Sequence, residues 1–283
     1  MCYISGMLTF KKKNISIYLP FAAIILSLIA LALYEAGIIS IPSHRAQPLN
    51  KVSFGNYIYP EEYNYAPNLL LVNKDYHISE DYPLDIVFYR ETDVPMNAVI
   101  TEDYGRMSDY IRNELGERLY VSSSYRSQED QERIYNEEGP DIAAVPGESE
   151  HQTGLALDVY AMYFAGAAFP DCGVGQFVLN NCSQFGFIIR YPYGAEDITG
   201  FSYEPWHIRY VGYPHAQIIS DSHLTLEEYL DSFEVGSWYS YDSYYIARLP
   251  EDELQIPQEL SGYDITVSPD NTGFIVVTIN TAA

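Results

Sequence analysis

The chain has 283 residues, of which 47% are hydrophobic, enough for one sizeable core with small appendages and too apolar for a disordered protein. It carries 39 acidic against 15 basic residues, a formal net charge of −24, so its surface repels polyanions and nucleic acid is excluded as a partner.

The N-terminal region differs from the rest. Lys11, Lys12 and Lys13 precede an apolar run from Ile15 to Leu33 that meets no charge until Glu35. That length suits a membrane span, and the lysines favour keeping this flank in the cytoplasm. Residues 1–41 are therefore expected to form a cytoplasmic tail and transmembrane helix. The protein is then a single-pass cell-membrane protein with its bulk outside. A cleavable signal peptide is the competing reading, less favoured because "GIISI" extends the run. Without the three lysines, 12 basic residues face the 39 acidic ones, so the anchor and not a basic patch holds the membrane.

Residues 42–68 mix Ser, Pro, Asn, Gly and Tyr without a period and read as a stalk. The main domain is expected over residues 69–235. Met107, Tyr110, Ile111 and Leu115 recur at helical spacing ahead of Gly116, and "LYVSSSY" then reads as a strand. Ser127 with Asp130 marks a helix start, and "GP" at Gly139 and Pro140 marks its end. Alternation at Leu155, Leu157 and Val159 and the runs "FGFIIRY" and "HIRYV" predict further strands. Thr225 with Glu228 opens a last helix. The fold class is α+β, with a central antiparallel sheet flanked by helices. Residues 236–283 turn Tyr/Ser-rich and end on "YDITVSPDNTGFIVVTI", a hairpin pattern, so a small β appendage is expected.

Cys172 and Cys182 lie ten residues apart in the part expected outside, where the pair could close a disulfide; two free thiols is the other reading. Of the six histidines, His44 falls in the stalk, and His77, His215 and His223 lack an acidic or histidine partner at a telling spacing and read as surface residues. His151 differs. In "SEHQTGLALD" it precedes Asp158 by seven residues, with Gly154 between them to turn the backbone. In "YEPWHIRYVG", Glu204 stands three residues before His207. Two imidazoles and one carboxylate, His151, Asp158 and His207, suffice to hold zinc with a position left open for water. Glu204 is the candidate general base.

With "SSYRSQEDQ", "SEHQTGLALD", "FGFIIRYP" and "EPWHIRYVG" in that order, residues 69 to 234 resemble the VanY-type zinc D-alanyl-D-alanine carboxypeptidases and their relatives the D,D-dipeptidases. The resemblance implies His151, Asp158 and His207 as zinc ligands, Glu204 as base and Arg126 as the residue stabilising the oxyanion. It also implies that Ser149 and Gln131 contact the substrate, peptidoglycan stem peptides ending in D-Ala-D-Ala. Trp206 reads as packing around Glu204 and His207. An iron oxygenase also uses two histidines and a carboxylate, but its usual first pair is His-x-Asp. A binding module that kept the metal and lost catalysis fits poorly with the presence of Glu204 and Arg126.

Overall fold

The computed structural model describes residues 49–140 and 143–282. The Ile15 to Leu33 run and His44 lie outside the described residues. Among those residues, no helix is long and apolar enough to cross a membrane.

The chain enters through three short strands, β1 (Asn50–Val52), β2 (Tyr57–Ile58) and β3 (Asn64–Tyr65), and a small hairpin, β4 (Ile86–Phe88) and β5 (Pro95–Asn97). Helix α1 (Thr101–Tyr110) continues through a wider turn, Ile111–Leu115, and stops at Gly116 with φ 69°. Strand β6 (Tyr120–Ser123) leads to α2 (Gln128–Glu138), whose first turn is capped by the Ser127 hydroxyl, which accepts from the Asp130 N–H at 3.1 Å. There follow β7 (Ala156–Tyr160), α3 (Gly173–Asn181), β8 (Phe187–Tyr191), α4 (Glu196–Thr199), β9 (Glu204–Tyr210), α5 (His215–Ser222) and α6 (Leu226–Asp231). Thr225 and Glu228 close the expected reciprocal cap on α6.

Four of these strands form an antiparallel sheet in the order β6-β7-β9-β8. Leu155, Leu157 and Val159, at alternate positions on and just before β7, face a core with Ile208, Phe187, Met107 of α1, Ile111 of the turn that continues it, and Val174 and Val178 of α3. The other face of β7 is left for Asp158. The expectation of a mixed α+β domain around a central antiparallel sheet holds.

The C-terminal region is larger than the expected hairpin. Strands β10 (Trp238–Tyr241), β11 (Tyr244–Pro250), β13 (Asp264–Pro269) and β14 (Phe274–Asn280) join β1 and β3 in a six-stranded sheet, while β12 (Ile256–Pro257) pairs with β2. The segment read as a stalk therefore supplies three strands: β1 and β3 complete the six-stranded sheet, whose other strands come from the C-terminal region, and β2 pairs with β12. Nor does this sheet hang free. Ile246 and Val276 pack among Leu69, Leu71, Ile188, Ile219, Leu226 and Tyr229, while Ala247, Ile275, Val277 and Ile279 face a second core with Trp238, Ile256 and Leu260. Burial on both faces accounts for the unbroken apolar run in β14.

Cys172 and Cys182 flank α3 and are free; Cys182 is buried. A nine-residue helix spans about 13 Å, well beyond the reach of a disulfide, so the bridge considered from the sequence does not form. His215, read as a surface residue, is buried at 5% exposure. Its Nδ1 lies 2.6 Å from the Tyr229 hydroxyl and its Nε2 3.0 Å from Thr278 Oγ1, so it ties α5 to α6 and to β14.

Candidate metal centre

His151 sits on a short turn, Glu150–Thr153, that ends at Gly154 with φ 69°. A Cβ on Gly154 would lie 2.7 Å from Ile86 Cδ1 and 2.8 Å from the Asn97 nitrogen, so both conformation and space demand glycine there. The turn delivers the chain into β7, where Asp158 is the direct cross-strand partner of His207 on β9. On a regular strand, Glu204 and His207, three residues apart, would point to opposite faces. Between the pairs Ile189–Ile208 and Tyr191–Glu204, however, β9 carries two residues more than β8. Pro205, which has no N–H to give the ladder, sits in this irregularity. The distortion lets Glu204 and His207 meet.

His151 Nε2 lies 3.3 Å from Asp158 Oδ2, and His207 Nδ1 lies 2.9 Å from Asp158 Oδ1. One ligand atom from each of the three residues falls within 4.8 Å of the others, the one such group of His, Cys, Asp or Glu among the described residues. His151 Nδ1 is 2.9 Å from the Ser124 carbonyl, which can only accept, so the ring proton sits there and Nε2 is left bare toward the cluster. Glu204 Oε2 stands 3.7 Å from His207 Nδ1. These residues line a cavity of about 240 Å³ with Arg126, Ser149, Glu138, Tyr191, Phe201 and Trp206. Larger hollows of about 1000 and 630 Å³ lie elsewhere and contain none of the three.

Arg126 follows β6. A bulge between Val121 and Ser123 sets Ser123 opposite Asp158, and the Ser123 hydroxyl accepts from Arg126 Nε and Nη2 at 3.1 and 2.7 Å. Arg126 Nη2 is 3.9 Å from Asp158 Oδ2, which aims the guanidinium into the cavity. Gln131 does not line the cavity. It is fully buried on α2, accepting from Arg126 Nη1 at 3.2 Å and donating to the Ala144 carbonyl at 2.8 Å. Both ends of its amide are engaged, the oxygen by Arg126 and the NH₂ by Ala144, where a substrate contact was expected. Ser149 is on the wall, and Trp206 both lines the cavity and packs on the core.

The charges follow from burial and neighbours. Burial opposes the ionised form of Asp158, but His151 and His207 outweigh it and hold the carboxyl well below the usual range. Burial lowers His151. It also acts to lower His207, yet the hydrogen bond to Asp158 and the facing carboxylates raise that ring to about 9. Glu204, unlike Asp158, moves up: burial, with Asp158 nearby, raises it from its ordinary value, which suits a group that must accept and return a proton.

Sequence reasoning missed Glu150. It is 1% exposed, and its Oε1 accepts from Arg190 Nε at 2.7 Å and Arg209 Nη1 at 2.6 Å. Arg190 is gripped on its other side by Glu227 at 2.8 and 2.6 Å, and Arg209 also donates to the Asn68 and Leu70 carbonyls. Both arginines are fully buried, and both interrupt apolar strand runs. An arginine at such a position requires a buried acid, and that was the available signal.

Residues 94–213 match the family described as VanY, D-alanyl-D-alanine carboxypeptidase. A D-alanyl-D-alanine carboxypeptidase of Enterococcus faecium is 31% identical over 240 residues, 77% of this chain and 77% of its own length. The solved structure of the vancomycin-resistance D,D-dipeptidase VanXYg, in complex with a D-Ala-D-Ala phosphinate analogue, is 29% identical. It is similar at a TM-score of 0.65 over 80% of this chain and 98% of its own. A variant of the D,D-pentapeptidase VanY from a VanB-type resistance cassette, in complex with Zn(II), is 33% identical with a TM-score of 0.52, over 58% of this chain and 99% of its own.

Proposed function

This chain belongs to the VanY family of D-alanyl-D-alanine carboxypeptidases, and on that premise we propose that it hydrolyses the terminal D-Ala-D-Ala bond of peptidoglycan stem peptides with zinc. The observation that carries the reading is the convergence of His151, Asp158 and His207 beside Glu204 and Arg126 in one cavity. Two imidazole nitrogens and a carboxylate, with His151 already fixed by Ser124 in the tautomer a ligand needs, fit a zinc site with an open position. Zinc held there supplies Lewis acidity for the scissile carbonyl and acidifies water.

The remaining chemistry belongs to the protein. Glu204 takes the proton of the attacking water and returns it to the departing D-alanine nitrogen, and its raised pKa fits both transfers. Arg126, held by Ser123 and Gln131, presents its guanidinium to the oxygen on which negative charge develops. Ser149 offers a hydroxyl on the wall for the substrate. The apolar run at Ile15 to Leu33 supports single-pass anchoring with the catalytic part outside, where polymeric stems are displayed.

A D,D-dipeptidase activity is the second reading, and one observation favours it: Glu138 places a carboxylate on the cavity wall that could face a free ammonium. Product analysis with pentapeptide stems and free D-Ala-D-Ala, with and without chelator, decides between them. The carboxypeptidase reading expects chelator-sensitive release of D-alanine and kcat/KM for the pentapeptide at least about tenfold above that for the dipeptide. Equal rates or a dipeptide preference overturn it.

A further inference from the structure

His207 has two ring nitrogens, and only one is accounted for by the converging ligands. Nδ1 faces Asp158 and Glu204. If Nδ1 is to bind a metal it must be free of its proton, so the proton of the neutral ring rests on Nε2. That Nε2 is buried and has no hydrogen-bond partner. Across from it, at 3.6 Å, lies Glu150 Oε2, which is likewise buried and without a partner. Two orphaned buried polar atoms of complementary kind therefore face each other, a shift of about 0.6 Å short of a normal bond.

Glu150 is held so that it cannot turn away. Its other oxygen is fixed by Arg190 on β8 and Arg209 on β9, and those arginines are tied to Glu227 and to the carbonyls of Asn68 and Leu70. Because Glu150 directly precedes His151, one turn of chain presents a metal ligand to one side of the centre and a carboxylate to the back of the opposite histidine.

We propose that Glu150 is a positioning residue for the metal centre: its Oε2 accepts the Nε2–H of His207 and so fixes that ring with Nδ1 toward the ion. The inference rests on the metal-site reading. The rival explanation is that Glu150 only neutralises two buried arginines. The two differ at Glu150→Gln. The arginines require an acceptor, so the glutamine oxygen turns to them and its NH₂ is left facing the Nε2–H, donor against donor.

The test uses the full chain and Zn²⁺ alone as probe. Zinc affinity is measured by competition with a chromophoric chelator, and the His207 tautomer and its Nε2–H exchange by ¹⁵N-resolved imidazole NMR. Glu150→Gln is expected to weaken zinc binding about 10- to 100-fold and to speed exchange of the His207 Nε2–H. Glu227→Gln, which removes an acid from the same ion cluster but none near His207, is expected to leave zinc affinity within about threefold. Wild-type affinity and exchange in Glu150→Gln, or an equal loss in Glu227→Gln, overturn the proposal. Should Glu150→Gln fail to fold, zinc-loaded wild type still decides: a protected Nε2–H on His207 supports the proposal, and its absence overturns it. A wild-type chain that binds no zinc would remove the metal-site reading itself, a failure distinct from the others.

Discussion

Replacing His215 by glutamine perturbs a titrating group that lies outside the metal centre and inside the contact between the catalytic sheet and the C-terminal sheet. His215 is buried between Tyr229 and Thr278, and burial lowers its pKa from about 6.5 to about 3. The folded protein thus keeps the ring neutral at pH values where the unfolded chain protonates it. Stability from this source is fully present above pH 6.5 and is lost as pH falls toward 3, with a ceiling of about 5 kcal/mol for a shift of this size. Most of the range down to pH 4.5 precedes carboxylate titration. Within it the proton-linked loss comes to about 2 kcal/mol, against a total stability of about 5–15 kcal/mol for a domain. The assay is urea unfolding of wild type and His215→Gln between pH 6.5 and 4.5, both with chelator so that metal release contributes to neither. The advantage of wild type over the variant should shrink by about 2 kcal/mol across that window. An advantage that stays constant with pH would refute the argument, since His215 would then be protonated or exposed in the folded state.

Glu204→Gln should retain zinc at full occupancy while kcat falls about a hundredfold or more; activity within a few-fold of wild type rules out the base, and loss of zinc makes Glu204 a ligand. Asp158→Ala should lose stoichiometric zinc by elemental analysis, because it removes the carboxylate whose two oxygens face His151 and His207. Ending the chain at Val235 removes Ile246, Val276 and Thr278 from the shared core, so cooperative unfolding should disappear in calorimetry; a stable, active truncation contradicts the shared core. Thiol titration of the unfolded chain should find Cys172 and Cys182 both reduced without prior reductant, and a missing pair of thiols would contradict the geometry.

The parts of the site legible in the sequence were those set by local chemistry. A glycine forced by both φ and space at Gly154, the caps at Ser127 and Thr225, and the period of Leu155, Leu157 and Val159 each leave a mark within ten residues. What escaped is held by partners distant in the chain. The pairing of β1 with β10 and of β3 with β13 joins segments nearly 200 residues apart, and strands of two or three residues carry no period of their own. His215 escaped for the same reason: its partners are a tyrosine and a threonine, neither of which announces a contact the way an opposite charge does.

The arginines show how far such reading can be pushed. Arg190 and Arg209 stand inside "FIIRY" and "HIRYV", where strand alternation already says the neighbours are buried, and a charge cannot be buried there without a paired acid. With two such arginines on adjacent strands, an acid must lie between them, and "SEHQTG" holds one immediately before a metal-ligand candidate. The structure puts Glu150 there, with one oxygen on both arginines and the other facing His207. The ion cluster and the metal centre therefore share one carboxylate. A substitution at Arg190 or Arg209 should reach the metal through Glu150 although neither residue lines the cavity. Replacing Arg209 by methionine leaves Glu150 with one cation fewer and frees its oxygen to move. Zinc affinity should then fall along with stability, and a variant that loses stability alone would show the two networks to be independent.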